Sequence, residues 1–228
     1  MILPIPSLLT EHAAQAMRAR LEAANAPWVD GRATAGTRAA RAKQNLQIAE
    51  DSPLARELGL QVLAALERHP LVASAVLPRM VYPPLFNRYD VGMHYGDHVD
   101  AALRRPPGAR TTIRTDVSAT LFLSPPESYD GGELLIDDGG QARSLKLPAG
   151  HMVIYPATTV HHVAPVTRGT RLACFFWMQS AVRDDARRDL LFRLDQAIQA
   201  LDARHAADPA LVALSGIYYN LQRMWAEL

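Results

Sequence analysis

The chain has 228 residues and a formal net charge of +1, with 49% apolar and 21% charged residues. A balance this close to neutral supplies no general attraction to nucleic acid or to an acidic membrane surface, and the apolar content suffices for one sizeable core. The single cysteine, Cys174, excludes an intramolecular disulfide and fits a reducing compartment.

The opening Met1–Pro6 is apolar but short and has no basic leader, so it does not read as a signal peptide. No apolar run reaches the roughly 18 residues of a membrane span, and the expected location is the cytoplasm. Residues 1–75 read as mainly helical. Ser7 or Thr10 can cap a helix running to about Ala24. Gly31 to Lys43, rich in Gly, Ala, Thr and Arg, reads as a loop. Ser52-Pro53 opens a second helix, with Leu54, Leu58, Val62 and Leu66 at helical spacing, and Pro70 closes it.

Residues 76–180 change texture. Short β-rich runs are separated by Pro83-Pro84, Pro106-Pro107-Gly108, Gly131-Gly132, Asp138-Gly139-Gly140 and Pro148-Ala149-Gly150, which predicts a small β sandwich or barrel. Val117 to Leu123 alternates, whereas Leu172 to Met178 is almost continuously apolar and reads as a strand buried on both faces. Asp137-Asp138-Gly139-Gly140 reads as a hairpin turn, because a calcium loop would need alternating oxygen ligands and a distal Glu. Residues 181–228 return to helix, first Arg183 to His205 and then a helix opened by Asp208-Pro209. The charge run from Arg183 to Arg188 reads as a solvated face. Ile217, Tyr218, Tyr219, Leu221, Met224 and Trp225 form an apolar stripe that suits either the chain's own β unit or a homodimer through these C-terminal helices. The fold class expected is α+β, a β core flanked by N- and C-terminal helices.

The chemistry concentrates in His98-Val99-Asp100, with His161-His162 about sixty positions later and Arg171 beyond. Side chains at i and i+2 of a strand point the same way, so His98 and Asp100 can share one ion. A second imidazole completes two nitrogens and one carboxylate on one face of a metal, the arrangement of non-haem Fe(II) oxygenases. Strand alternation allows only one of His161 and His162 to face that ion. The turn Pro165-Val166-Thr167-Arg168-Gly169 is expected to form an out-and-back hairpin that returns Arg171 to the neighbourhood of His161. A guanidinium buried there is costly unless an anion meets it, and its planar fork suits a carboxylate. His94 and His151 read as ordinary polar histidines, and Cys174 as buried and inert.

Several segments together resemble a known group: Phe86-Asn87-Arg88-Tyr89, His98-Val99-Asp100, Arg114 to Ser118, Tyr129 to Leu134, Tyr155-Pro156, His161 to Arg171, Phe175 to Ser180, and Tyr218 to Leu221. From about residue 80 to its end the chain resembles the bacterial PKHD-type hydroxylases, Fe(II)/2-oxoglutarate-dependent dioxygenases of the prolyl 4-hydroxylase type. The resemblance implies a double-stranded β-helix, or jelly roll, over residues 76–180, with helical regions at 1–75 and 181–228. It implies iron ligation by His98, Asp100 and His161, which resolves the choice between the two imidazoles. Arg171 is implied to hold the far carboxylate of 2-oxoglutarate, and Tyr89 is a candidate second partner for it. O2 and a small-molecule or peptide substrate are the expected partners and ascorbate the expected reductant, with succinate and CO2 released as a C–H bond is hydroxylated. The competing reading is a non-catalytic cupin-like metal or ligand-binding barrel or sensor. A cupin site usually presents HxH and a Glu, whereas this chain presents HxD.

Overall fold

The computed structural model describes residues 1–34 and 40–227. It mixes helices with antiparallel sheets. The major sheet runs Leu3–Ile5 (β1), Met152–Pro156 (β14), Val117–Phe122 (β10), Arg171–Ser180 (β17), Leu85–Tyr89 (β6), Leu46–Ile48 (β4) and Trp28–Asp30 (β2), with Pro78–Val81 (β5) also paired to β17. A second sheet runs Ala142–Leu145 (β13), Leu134–Asp137 (β12), His161–Val163 (β15), His94–His98 (β7) and Lys43–Gln44 (β3). Two short ribbons pair Tyr129–Gly131 (β11) with Val166–Gly169 (β16), and Leu103–Arg104 (β8) with Ile113–Arg114 (β9).

Helices Glu11–Leu21 (α1), Pro53–Arg68 (α2) and Pro70–Val76 (α3) bury Met17, Leu21, Leu58, Val62, Leu66, Val72 and Val76 in one core with the major sheet. The strand pleat sorts that sheet's side chains. On β17, Leu172, Cys174, Phe176 and Met178 join the helix-covered core, while Arg171, Phe175 and Trp177 line a cavity on the other side. On β10, Ala119 and Leu121 likewise belong to that core, and Ser118 and Thr120 line the cavity. β17 is thus covered on both faces, as its apolar run predicts.

The helix starts follow their capping chemistry. Thr10 accepts from the Ala13 backbone N–H and Ser52 from that of Ala55, with Pro53 in the first turn. Pro70 does more than end a helix. α2 stops at Arg68, and Pro70 opens α3, because its missing N–H costs nothing in a first turn. The expected cap at Asp208 is displaced: Pro209 is the cap residue of Ala210–Trp225 (α5), and Asp208 accepts from the Ala210 N–H at 2.9 Å. The N-terminal region is also less purely helical than expected, since it supplies β1 to β4. Those strands are two or three residues long, too short for periodicity to register. The loop expected at Gly31 to Lys43 falls partly outside the described residues; within them Gly31–Thr34 is a 3-10 turn and Lys43 starts β3.

Asp185–His205 (α4) docks through Leu191 and Phe192. Arg188, expected on a solvated face, is instead buried. Its Nη1 donates to the carbonyls of Val182 and Arg183 at 2.8 and 2.6 Å, and its Nη2 donates to Asp185 at 3.0 Å. Its cost of burial is offset because those donors are met. α5 buries no residue completely and leaves Ile217, Tyr219 and Met224 exposed. Its end returns to the β unit, where Arg114 Nη1 donates to Glu227 Oε2 at 3.1 Å. No described helix is long and apolar enough to cross a membrane.

Candidate active site

His98 is the last residue of β7, and Asp100 follows two positions on. β15 lies beside β7 with His161 opposite His98. Ligating atoms of His98, Asp100 and His161 all come within 4.8 Å of one another. His161 Nε2 stands 3.7 Å from Asp100 Oδ2. Two backbone carbonyls orient the rings: Gly96 O lies 2.9 Å from His98 Nδ1, and Thr159 O lies 2.9 Å from His161 Nδ1. A carbonyl only accepts, so each Nδ1 carries the proton and each Nε2 offers its lone pair. Ser118 Oγ donates to Asp100 Oδ2 at 2.6 Å and holds the carboxylate in place. Tyr95 stacks on His98 at 3.6 Å, and Tyr155 meets His161 edge-on at 4.9 Å. Burial, and then neighbouring His161, keep His98 below the usual imidazole range, so at neutral pH it is already in its ligating form. Two neutral nitrogens and one carboxylate fit a ferrous ion.

His162 alternates to the other face of β15, where its Nδ1 meets Asp97 Oδ1 at 2.7 Å, away from the triad. His94 sits against the Gly92 carbonyl and does not line the cavity.

Arg171 arrives by a different route from the expected hairpin. After β15 the chain leaves the second sheet, β16 pairs with β11 in a separate ribbon, and β17 then enters the major sheet with Arg171 opposite Tyr89. Arg171 and the triad therefore face one cavity of about 360 Å³ from opposite sheets. The guanidinium is 1% exposed, and its Nε and Nη1 have no hydrogen-bond partner among the described residues. It lies 5.3 Å from the Tyr89 ring and 5.4 Å from the Phe122 ring. Gly132 makes room for it. At φ +66° a Cβ there would stand 3.1 Å from Arg171 Cδ and 3.1 Å from the Tyr129 ring. Two buried cationic donors in a cavity wall, with no acceptor among the described residues, are the mark of a site built for an anion.

Other cavity residues escaped the sequence reading. Ser118 lies inside a segment already singled out, but nothing marks it as Asp100's partner. Tyr95, Lys43 and Arg104 also line the cavity. Lys43 is 55 positions before His98 and comes near only because β3 pairs with β7. Burial, and next the charge of Arg104, bring its ammonium down to about 8. Within Phe86-Asn87-Arg88-Tyr89, Asn87 lines the cavity and its Oδ1 has no hydrogen-bond partner among the described residues, while Arg88 forks onto Asp90.

The chain matches the 2OG-Fe(II) oxygenase superfamily over residues 84–179 and the PKHD-type hydroxylase C-terminal domain over 185–227. It is 58% identical, over 227 residues and the full length of both chains, to a PKHD-type hydroxylase of Paraburkholderia phymatum. The chain belongs to the PKHD-type hydroxylases. A second member, from Xanthomonas campestris pv. campestris, is 56% identical over 230 residues and again full length. Among solved structures, a Pseudomonas putida prolyl-4-hydroxylase shares the fold at TM-score 0.52 and 20% identity, covering 78% of this chain and 92% of that one. A Trichoplax adhaerens prolyl hydroxylase, solved with a hypoxia inducible factor peptide fragment, aligns at TM-score 0.53 and 12% identity, covering 83% and 86%. This PKHD-type hydroxylase is accordingly an oxidoreductase of the dioxygenase type that uses Fe(II) and 2-oxoglutarate. The reading as a non-catalytic cupin-like sensor is not supported.

Proposed function

We propose that this PKHD-type hydroxylase holds Fe(II) through His98 Nε2, the Asp100 carboxylate and His161 Nε2, and that Arg171 grips the far carboxylate of 2-oxoglutarate. The single observation that carries this is Arg171 itself, a buried guanidinium with open donors in the same cavity as the triad. When bound, the metal and 2-oxoglutarate supply the oxidising power, drawn from O2, that converts a substrate C–H to C–OH with release of succinate and CO2. The protein's part is binding, orientation and exclusion of water. Arg171 fixes the co-substrate at its inert end, and Tyr89, opposite Arg171 in the sheet, offers its hydroxyl to the same carboxylate. Gly96, Thr159 and Ser118 fix the three ligands. Leu134, Val163 and Phe175 keep much of the wall apolar. Ascorbate maintains the ferrous state. We take the two sheets facing across this cavity as a jelly roll, and the substrate as a small molecule or peptide.

Anaerobic titration with Fe(II) and then 2-oxoglutarate should produce a metal-to-ligand absorption band. Admitting O2 should release succinate slowly even without substrate. Tight binding of both with no succinate would return the protein to the class of sensors. Ser118→Ala should weaken Fe(II) affinity by about ten- to a hundredfold, the usual effect of losing a group that orients a ligand. Unchanged affinity in equilibrium metal titration would mean that Ser118 does not position Asp100.

A further inference from the structure

The Arg171 end of the cavity holds one more unmet side chain. Asn45 is 4% exposed and lines the cavity, and both its Nδ2 and its Oδ1 are buried with no hydrogen-bond partner among the described residues. Its place is set where the chain crosses from one sheet to the other. β3 ends at Gln44 and pairs with β7 in the second sheet, while β4 begins at Leu46 and pairs with β6 in the major sheet. Leu46 is opposite Arg88, so one step back Asn45 falls across from Tyr89, and Tyr89 is opposite Arg171. Residues directly across from one another in a sheet share a face. Asn45, Tyr89 and Arg171 therefore form one row, and all three line the cavity. The Tyr89 hydroxyl responds to both neighbours: burial raises its pKa above the usual range, and Arg171 and then Asn45 act against that rise.

The amide is fixed from behind. The Gly31 backbone N–H donates to the Asn45 carbonyl at 3.0 Å. A Cβ at Gly31 would collide with Asn45 Oδ1 and stand 3.0 Å from its Cγ, so a bare backbone is what lets the oxygen seat there. Nδ2 is then the edge left for a ligand. A carboxylate offers about four lone-pair positions. Arg171 Nε and Nη1 can fill two of them and the Tyr89 hydroxyl a third, which leaves one for Asn45. The far end of 2-oxoglutarate carries acceptors and no donor, so an amide N–H is its complement. A buried amide donor without an acceptor is costly, and the arrival of the co-substrate would offset that cost.

We infer that Asn45 donates an Nδ2 hydrogen to the far carboxylate of 2-oxoglutarate, as the third member of a clamp with Arg171 and Tyr89. This rests on the function proposed above and adds to its co-substrate site a residue from the N-terminal region.

The test uses the full-length protein with Fe(II), kept anaerobic. Calorimetry compares 2-oxoglutarate with 2-oxopentanoate, which has the same keto-acid end and a methyl group in place of the far carboxylate. Wild type should prefer 2-oxoglutarate by about two orders of magnitude or more. Asn45→Ala should weaken 2-oxoglutarate by about ten- to a hundredfold, the scale of one hydrogen bond to a charged group, and leave 2-oxopentanoate nearly unchanged. Asn45→Asp keeps the shape of the side chain and exchanges its donor for an anion, so it should shrink the preference further, and it carries the test if Asn45→Ala does not fold. A variant that keeps the full preference, or one that loses both keto acids in equal measure, would overturn the inference. A wild type that binds the two keto acids alike removes the proposed grip of Arg171, and this inference with it. A preference that is present in wild type, lost in Arg171→Met and intact in both Asn45 variants removes Asn45 alone.

Discussion

His161→Ala should abolish turnover and lower Fe(II) affinity by about a hundredfold or more, whereas His162→Ala should leave both close to wild type. The size follows from dividing a typical site's binding energy, of order 10 kcal/mol, among its few protein ligands, so that one ligand is worth about 3 kcal/mol. The contrast between adjacent histidines follows from the strand. His161 faces His98 across β7 and β15 and is 5% exposed, its Nδ1 already committed to the Thr159 carbonyl. His162 faces the other way, toward Asp97 on an open surface. An exposed pair of that kind contributes less than about 1 kcal/mol. Metal titration of the two variants decides the matter. Loss of iron in His162→Ala and retention in His161→Ala would exchange the two assignments and with them the register of β15 against the metal.

The second large effect belongs to Arg171. Arg171→Met should weaken 2-oxoglutarate binding by about two to three orders of magnitude, the cost of removing one partner from a buried charge pair, while Fe(II) binding stays largely intact. A less obvious consequence follows for stability. Without co-substrate the guanidinium keeps Nε and Nη1 buried with no hydrogen-bond partner among the described residues. Methionine fills much of the same space without that desolvation cost, so the ligand-free variant should melt no lower than wild type. Wild type should gain thermal stability on adding 2-oxoglutarate with the metal present, as mass action requires, and the variant should gain none at the same concentration. A variant that loses iron and 2-oxoglutarate together, or unfolds, would make Arg171 a structural residue.

The triad was readable because its parts carry their own geometry. Two residues apart at a strand end share a direction whatever the strand pairs with, so His98 and Asp100 could be joined without a fold. The apolar run of β17, the capping residues Thr10 and Ser52, and the hairpin turn at Gly139-Gly140 are equally local, and Gly140 N–H does donate to Asp137 at 2.8 Å. The choice of His161 over His162 was not local. Alternation permits either, and the pattern of the family selected one.

Elsewhere short-range reasoning reached the right residue by the wrong path, or missed it. Arg171 was expected beside His161 through a hairpin, yet it sits across the cavity on the other sheet, because β16 diverts to β11. Strands of two or three residues, such as β1 to β4, have too few positions to display a period of two, and only their pairing reveals them. Arg188 looked solvated because a charge in a run of charges gives no hint that carbonyls wait for it.

The sequence by itself determined the chemistry, since histidine, aspartate and arginine at these spacings limit what a metal and an anion can do. The tertiary structure alone decided which side chains share the cavity. Lys43 and Ser118 meet the triad from strands distant in the chain, and contacts of that range leave no periodic trace in the residues that make them.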